Sequence, residues 1–265
     1  MAEPYNVVAQ GKREFILALP LASRYTSPME QYIHPLTGAM REIVSIFGNM
    51  GFSVADGPER ETDWYNFTAL NFPKDHPARD MQDTLWVNDG TVMRTHTSPV
   101  QIRYMEQHKP PIRIIVPGKV YRNEPTDMTH EAQFYQVEGL AVGPDITLAH
   151  LKGTLTQFFS AFFGGNVEVR LRPSFFPFTE PSVEVDMRLM GENAPAKLRD
   201  KWIEVMGAGM VHPKVLSNAG IDPKRYRGFA FGGGVERLCM LKWGIDDVRL
   251  FHTGDMRLVR QFKSE

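Results

Sequence analysis

Most of what this chain reveals lies in two stretches, Lys119–Gly139 (KVYRNEPTDMTHEAQFYQVEG) and Gly228–Leu238 (GFAFGGGVERL). Each places an arginine and carboxylates beside residues that are typical of a buried strand. A buried charge without a partner is costly, so these charges need a ligand or one another. A ligand with phosphates, an amine and a flat ring would pair with all of them, and ATP together with an amino acid fits that description.

The two stretches also predict local structure. In the first, Val120–Tyr121 and Phe134–Val142 are strand-like and enclose the polar loop Asn123–Glu131, which indicates a long hairpin. In the second, a strand over Gly228–Phe231 runs directly into a helix over Val235–Trp243. Both arginines therefore lie next to the end of a strand.

The same patterns extend outward along the chain. An apolar stripe at helical spacing predicts a helix over Pro35–Met50, with a proline suited to its first turn. Further helices are expected over Ser98–Gln107 and Ile146–Phe163. Further strand-like segments are Phe52–Ala55, Thr91–Thr95, Ile112–Val116, Val167–Arg172, Val183–Met187 and Trp202–Val205. Strands joined mainly by hairpins favour an α+β fold with a mainly antiparallel sheet of about six to seven strands flanked by helices.

Composition limits the class of protein. The 265 residues contain no internal repeat or evident linker, so we expect a polar extension over 1–14 and one domain over 15–265. With 30 basic and 31 acidic residues, the formal net charge of −1 excludes a polyelectrolyte binder, and any contact with nucleic acid must be local or shared.

The single cysteine, Cys239, excludes a disulfide framework and suits a reducing cytoplasm. The most apolar candidate for a leader or membrane segment is Phe15–Ala22, FILALPLA, which Pro20 interrupts and which is far too short to span a bilayer. We therefore expect a strand there, no membrane association and a cytoplasmic protein.

Side-chain alternation then suggests a binding face. Arg122 and Glu124 are two residues apart, so in a strand they share one side, and an arginine fork suits a phosphate. A surface ion pair is the plainer explanation for that pair alone. On the returning strand, however, Phe134, Gln136 and Glu138 alternate onto one face. This combination makes a poor core and a good receptor for an α-amine.

Arg237 lies in the first turn of a helix that three glycines precede. Glycines let a ligand approach the backbone, and a helix N-terminus favours phosphate. The segment lacks both the G-x-G-x-x-G spacing of a dinucleotide-binding loop and the Gly-Lys-Ser/Thr ending of a P-loop. A purely structural glycine turn stays open as an alternative.

These residues carry a family resemblance. The helix around Pro35, the hairpin with Arg122 and the strand–helix with Arg237 resemble motifs 1, 2 and 3 of class II aminoacyl-tRNA synthetases, in that order. Within the class, residues 15–263 are similar to the catalytic α subunits of bacterial phenylalanyl-tRNA synthetases. Further matching stretches are Asn71–Trp86, Arg94–Gln101 (RTHTSPVQ), Phe175–Ser182 (FFPFTEPS), Gly207–Val215 and Gly244–Phe251.

The resemblance implies roles for matching positions. For ATP, Arg122 would bind the α-phosphate, Phe134 and Arg237 would enclose the adenine, and Glu124 and His130 would reach the adenine and phosphate region. Arg122 and Arg237 would thus be the catalytic pair. For phenylalanine, Gln136 and Glu138 would bind the amino group, and His96, Ser98 and Trp86 would close the opposite side. Phe176 and Phe178 would contact the ring, and Ala230 would lie at the end of the pocket. Gly232 completes the implied set.

Some of these residues have plainer explanations when taken alone. Phenylalanines such as those of FFPF usually pack in a core, and His96 alone would be a structural histidine. Glu180 matches a position that binds Mg²⁺ together with a partner subunit, although one carboxylate is a poor Mg²⁺ site and a solvated glutamate is the alternative. Only the joint pattern favours a binding site.

The resemblance also implies the reaction and its partners. Phenylalanine would be activated with ATP to phenylalanyl-adenylate and passed to the 2′-OH of tRNA(Phe). The expected partners are a β subunit in an (αβ)₂ heterotetramer, or a second copy if the chain is a stand-alone core. Bacterial α subunits begin with a long helical arm, which we expect this chain to lack. The alternative function is a synthetase-like interaction or regulatory module without catalysis.

Overall fold

The computed structural model describes residues 32–73, 84–191 and 198–263. The expected polar extension 1–14, the boundary at residue 15 and the strand over 15–22 lie outside these residues. So does part of the Asn71–Trp86 stretch. Within the described residues, no helix combines the length and apolar character needed to cross a bilayer.

A seven-stranded sheet organises the described chain, in the order β1-β4-β5-β9-β8-β7-β6. Neighbouring strands are antiparallel except β1 and β4, which are parallel. A separate small ribbon pairs β2 with β3. The strands are β1 Ser53–Val54, β2 Arg60–Glu61, β3 Val92–Met93, β4 Ile112–Tyr121, β5 Gln133–Gly143, β6 Asn166–Phe176, β7 Thr179–Met190, β8 Ile203–Val211 and β9 Arg227–Gly234.

Helices cover both faces of this sheet. In chain order they are α1 Pro35–Asn49, α2 Asp63–Asn66, α3 Ser98–Gln107, α4 Leu148–Phe163, α5 Pro213–Asn218, α6 Val235–Trp243 and α7 Met256–Val259, with short 3-10 turns at Thr68–Leu70 and Val248–Phe251. The expected α+β class and mainly antiparallel sheet are confirmed. The predicted helix Ser98–Gln107 has the observed bounds, whereas most strands extend several residues beyond the predicted segments.

The larger core fills one face of the sheet, beneath α1, α4 and α6. Phe47 of α1 is fully buried and stacks on Phe158 of α4 and Phe231 of β9, with ring centroids 4.7 and 5.3 Å apart. A capping box between Thr147 and His150 begins α4, and Gly164 in the left-handed conformation ends it. This core holds β5 and β9 rigidly from behind, so the opposite face of the same strands can support a site.

A smaller core lies on the opposite face, where α3 packs against β4. Over the middle of β9 and β8, the residues on that face are Ala230, Gly232, Gly207 and Gly209. Because these residues have little or no side chain, the middle of the sheet stays uncovered. The sequence analysis did not predict α5, the six-residue helix that closes one end of this opening.

Candidate active site

Two cavities open on this face, and Arg122 lines both. The first has a volume of about 180 Å³ and the second about 460 Å³. Arg237 lines the first, and the pair Phe176 and Phe178 lines the second. The two arginines therefore converge on one cavity, and Arg122 joins it to an aromatic-lined one.

Arg122 lies just past the end of β4, where its N–H still bonds to the carbonyl of Ala132 across the hairpin (2.9 Å). Its guanidinium donates to the Thr95 carbonyl (3.3 Å), lies 5.1 Å from the Phe134 ring centroid and is 3.9 Å from Glu124. Burial lowers the pKa of Arg122, opposed by Glu124 and Glu138. Such a partly buried cation with only a long ion pair favours an anionic ligand.

The strand-alternation argument for Arg122 and Glu124 was wrong in detail. Because β4 ends at Tyr121, both residues lie in the loop, and the loop brings them together. The guanidinium of Arg122 lies over the Phe134 ring, and the enclosure of an adenine between Phe134 and Arg237 stays a prediction. Both arginines nevertheless line the cavity with Phe134.

Arg237 occupies the third position of α6, and Gly234 is the residue before the helix. Its side chain is exposed and, in the part of the chain that the structure describes, makes no ion pair. Its charge is therefore available to a ligand in the first cavity. The preceding residue, Glu236, is buried and also lines this cavity.

The hairpin loop forms the outer wall of the first cavity. His130 is exposed, and its Nδ1 lies 3.0 Å from the carboxylate of Asp127. This loop is fixed to the rest of the domain by a bond from the Val248 N–H to the Met128 carbonyl (3.0 Å). Glu124 and His130 both line the cavity, so the structure brings the expected ATP set Arg122, Glu124, His130, Phe134 and Arg237 together.

The second cavity has an apolar end and a polar wall. Phe176 and Phe178 stack with centroids 5.7 Å apart and nearly parallel planes, and Phe178 also contacts Phe72. Of the expected phenylalanine set, the residues that line this cavity are His96, Ser98, Gln136, Glu138, Phe176, Phe178, Ala230 and Gly232.

Glu138 is the most densely bonded side chain of the polar wall. Its carboxylate accepts from the Thr97 N–H (3.0 Å), the Ser98 hydroxyl (2.6 Å) and the Gln101 amide (2.8 Å). Burial raises the pKa of Glu138, whereas the hydrogen bonds from Ser98 and Thr97 and the charge of Arg94 oppose that rise. The carboxylate is thus held in place by neutral donors. No cationic side chain hydrogen-bonds to it in the described residues, which leaves it suited to a ligand ammonium.

Two buried polar groups of the same wall lack partners. Gln136 Oε1 and both ring nitrogens of His96 make no hydrogen bond of acceptable geometry in the described chain. Burial and the nearby cation of Arg122 lower the pKa of His96 to about 3, although the Asn66 backbone opposes the shift. His96 is therefore neutral at physiological pH. Unsatisfied buried groups are rare, and here they face the second cavity, as a site awaiting a polar ligand would require.

Two expected site residues lie elsewhere. Trp86 is 56% exposed, pairs with Val92 beside the small ribbon and does not line either cavity. Glu180 is 3.3 Å from His212, outside both cavities. Its carboxylate suits Mg²⁺, but no three His, Cys, Asp or Glu side chains cluster within the described ranges. The residues that the structure describes therefore do not fit a Mg²⁺ site by themselves.

The sequence analysis missed Gln101 and Arg94. Gln101 lies one turn after Ser98 on α3, so both face Glu138, a relationship that helical spacing could have suggested. Arg94 is 2% exposed and donates to the carbonyls of Lys119 and Gly57. Arg94 joins the base of the hairpin to the Gly57 turn, a contact that only the tertiary structure reveals.

Comparison with known proteins defines the class. The family model of tRNA synthetases class II core domain (F) matches residues 20–262. Among solved structures, the pyrrolysyl-tRNA synthetase from Desulfitobacterium hafniense superposes with a TM-score of 0.64. That similarity covers 85% of this chain and 75% of the other at 19% identity, so it supports the fold alone.

Relatives with higher sequence identity narrow the assignment to one family within this class. The phenylalanine--tRNA ligase alpha subunit of Bacillus licheniformis is 57% identical over 235 residues, covering 87% of this chain and 68% of that protein. The protein of the same name from Dehalococcoides mccartyi is 55% identical over 240 residues, covering 87% and 69%. The chain therefore belongs to the class II aminoacyl-tRNA synthetases and, within them, to the family of phenylalanine--tRNA ligase alpha subunits.

Proposed function

We propose that this chain activates phenylalanine with ATP and transfers the phenylalanyl group to the 2′-OH of tRNA(Phe), as the catalytic α subunit of a ligase. The observation that carries the proposal is the position of Arg122 between the two cavities. One cavity offers two arginines to phosphates, and the other offers phenylalanine rings and a buried carboxylate to an aromatic amino acid.

The second cavity supports phenylalanine as the substrate. Much of its lining is apolar and includes Leu70, Ile102 and Met105 together with the rings of Phe176 and Phe178. Its polar wall offers Gln136 Oε1 and the Glu138 carboxylate to an ammonium. An apolar end without a hydrogen-bond partner would disfavour a hydroxylated ring, because the hydroxyl would lose its water.

The reaction requires alignment more than acid–base chemistry. The carboxylate oxygen of phenylalanine attacks the α-phosphorus of ATP, a new P–O bond forms, and the bond to pyrophosphate breaks. Negative charge builds up on the phosphate oxygens, and Arg122 and Arg237 are the cations available to stabilise it. In the second step, the oxygen of the 2′-OH bonds to the carbonyl carbon, the bond from that carbon to the phosphate oxygen breaks, and AMP leaves with the hydroxyl proton.

The proposal includes partners and a compartment. An (αβ)₂ heterotetramer is the assembly we propose, with tRNA(Phe) bound largely outside this near-neutral chain. We assign Mg²⁺ to Glu180 only jointly with ligands from the β subunit, because no group of three His, Cys, Asp or Glu side chains is found among the described residues. The single buried thiol of Cys239 suits the cytoplasm.

ATP–pyrophosphate exchange across all twenty amino acids tests this proposal. We expect exchange with phenylalanine to exceed that with tyrosine by at least about a hundredfold, since a polar group in an apolar pocket is poorly tolerated. A folded chain, assayed with its β subunit, that supports exchange with none of the twenty would instead favour a non-catalytic module.

A further inference from the structure

We propose that Glu236 is a positioning residue that sets the gap between Phe134 and Arg237, the two walls of the nucleotide cavity. The proposal rests on the proposed function, since it assigns a role within that ATP site. Glu236 belongs to neither the expected site set nor the residues assigned a step above.

Glu236 connects Phe134 and Arg237 through residues that are their direct neighbours in the chain. Both carboxylate oxygens of Glu236 accept from the Tyr135 N–H, at 2.9 and 3.0 Å. Tyr135 directly follows Phe134 on β5, and Glu236 directly precedes Arg237 on α6. One side chain therefore joins the backbone next to one wall of the cavity to the backbone next to the other.

The hydrogen bond from the Tyr135 N–H to Glu236 takes the place of a backbone hydrogen bond between β5 and β9. The pairing of β5 with β9 ends at Gln136 and Gly234, because the chain turns into α6 after Gly234. Beyond that point, nothing from β9 can accept from the Tyr135 N–H. Glu236 takes over at the place where the ladder stops. With 3% exposure it has little freedom to move, so it transmits the position of α6 to Phe134.

A histidine compensates the buried charge. His252 Nε2 lies 3.5 Å from Glu236 Oε1, and His252 follows the 3-10 turn Val248–Phe251. The charged or titratable groups that act on His252 are Glu236 and Glu131, and His252 in turn acts on His34 at the N-terminus of α1. Contact with Glu236 raises the pKa of His252. The pair is therefore ionic below that pKa and weakens as the pH rises through it.

The test uses the full chain assayed with its β subunit in pyrophosphate exchange. Glu236→Gln keeps one oxygen for the Tyr135 N–H but loses the charge, Glu236→Ala removes the acceptor, and His252→Gln removes the cation. Glu106→Gln, an acid-to-amide change on α3 outside both cavities, is the matched control. Each variant is measured for the KM of ATP, the KM of phenylalanine and the midpoint of thermal unfolding.

We expect Glu236→Ala to raise the KM of ATP by about tenfold or more, as misplacement of positioning groups does. The KM of phenylalanine should change less than about twofold, and Glu236→Gln should recover most of the loss. In the wild type, the KM of ATP should rise with pH as His252 loses its proton, and this dependence should vanish in His252→Gln.

Equal changes in both KM values, following the loss of thermal stability, would mean a structural role only and overturn the proposal. If Glu236→Ala does not fold, Glu236→Gln and His252→Gln test the proposal instead. The proposal is overturned if the KM of ATP does not depend on pH in the wild type and is unchanged in both variants. Arg237→Ala distinguishes a failure of the role proposed for Glu236 from a failure of the proposed nucleotide site. An unaffected KM of ATP in that variant would contradict the nucleotide site itself, whereas an affected one leaves the site standing when Glu236 fails.

Discussion

Glu138 lies directly opposite Gly232 on the neighbouring strand, and its side chain covers that glycine. A methyl group at position 232 would be 2.7 Å from Cγ of Glu138, closer than carbon atoms can approach. Gly232 therefore lets the carboxylate lie flat along the sheet, where Thr97, Ser98 and Gln101 reach it. Gly232, in the segment that resembles motif 3, thereby helps to position Glu138, in the hairpin that resembles motif 2.

The next strand repeats the arrangement. Gly207 pairs with Gly232, and a methyl at 207 would be 2.9 Å from the ring of Phe176. The two glycines form a flat floor, with the Glu138 side chain over one and the Phe176 ring over the other. The amine-binding and ring-binding parts of the second cavity are thus placed by one row across the sheet.

Replacement of the arginine shared by both cavities should abolish activation. We expect Arg122→Ala to reduce phenylalanine-dependent pyrophosphate exchange by about a hundredfold or more, because a preorganised cation is lost from the phosphate site. Arg113→Ala, which changes an exposed arginine of β4, is the matched control and should keep its activity. Near-normal exchange in a folded Arg122→Ala protein would remove the assignment of this residue.

Gln136→Met should separate binding from stability. The Oε1 atom of Gln136 is buried without a partner, so an apolar side chain of similar length should stabilise the fold by about 1 kcal/mol. The same change should raise the KM of phenylalanine. Gln101→Met, which loses a satisfied bond to Glu138, should destabilise instead. Urea unfolding and exchange kinetics measure both quantities, and a destabilised Gln136→Met protein would argue against an unmet acceptor.

Ala230→Gly should enlarge the amino acid cavity, since Ala230 lines it from β9. One methyl group corresponds to about 1 kcal/mol, so we expect kcat/KM for p-chlorophenylalanine relative to phenylalanine to rise by about fivefold. Ala141→Gly on β5, in the core behind the sheet, is the control for loss of a buried methyl. Unchanged discrimination between the two substrates would show that Ala230 does not limit the pocket.

Acid should destabilise the protein through His96. Its pKa is lowered to about 3 in the folded state, so the unfolded chain binds a proton near pH 6.5 that the folded chain refuses. The stability from this group is present above pH 6.5 and is lost at about 1.4 kcal/mol per unit as the pH falls towards 3. Urea unfolding from pH 7 to 4 should show a shallower loss in His96→Leu than in the exposed control His108→Gln. Equal slopes would contradict a buried neutral imidazole.

Local patterns predicted much of the fold correctly. The hairpin around Arg122 follows from two apolar segments and the polar loop between them, and α1 follows from a proline suited to its first turn and an apolar stripe at helical spacing. Strand lengths were underestimated, because β6 and β7 continue beyond the predicted segments through residues such as Ser174 and Ser182, which pair across the two strands. Such cross-strand pairs depend on register, which a single segment does not contain.

The amino acid sequence determined which side chains could meet phosphate, amine and ring, because alternation along β5 and helical spacing on α3 depend on local geometry alone. Which of these side chains lie close together in space was decided by the tertiary structure. Trp86 lies away from the cavity that its motif suggested, whereas Gln101, Arg94 and Glu236 gained their importance from partners 25 to 101 residues away. Long-range packing of sheet against helix decides such contacts, since no rule of local spacing connects residues so far apart.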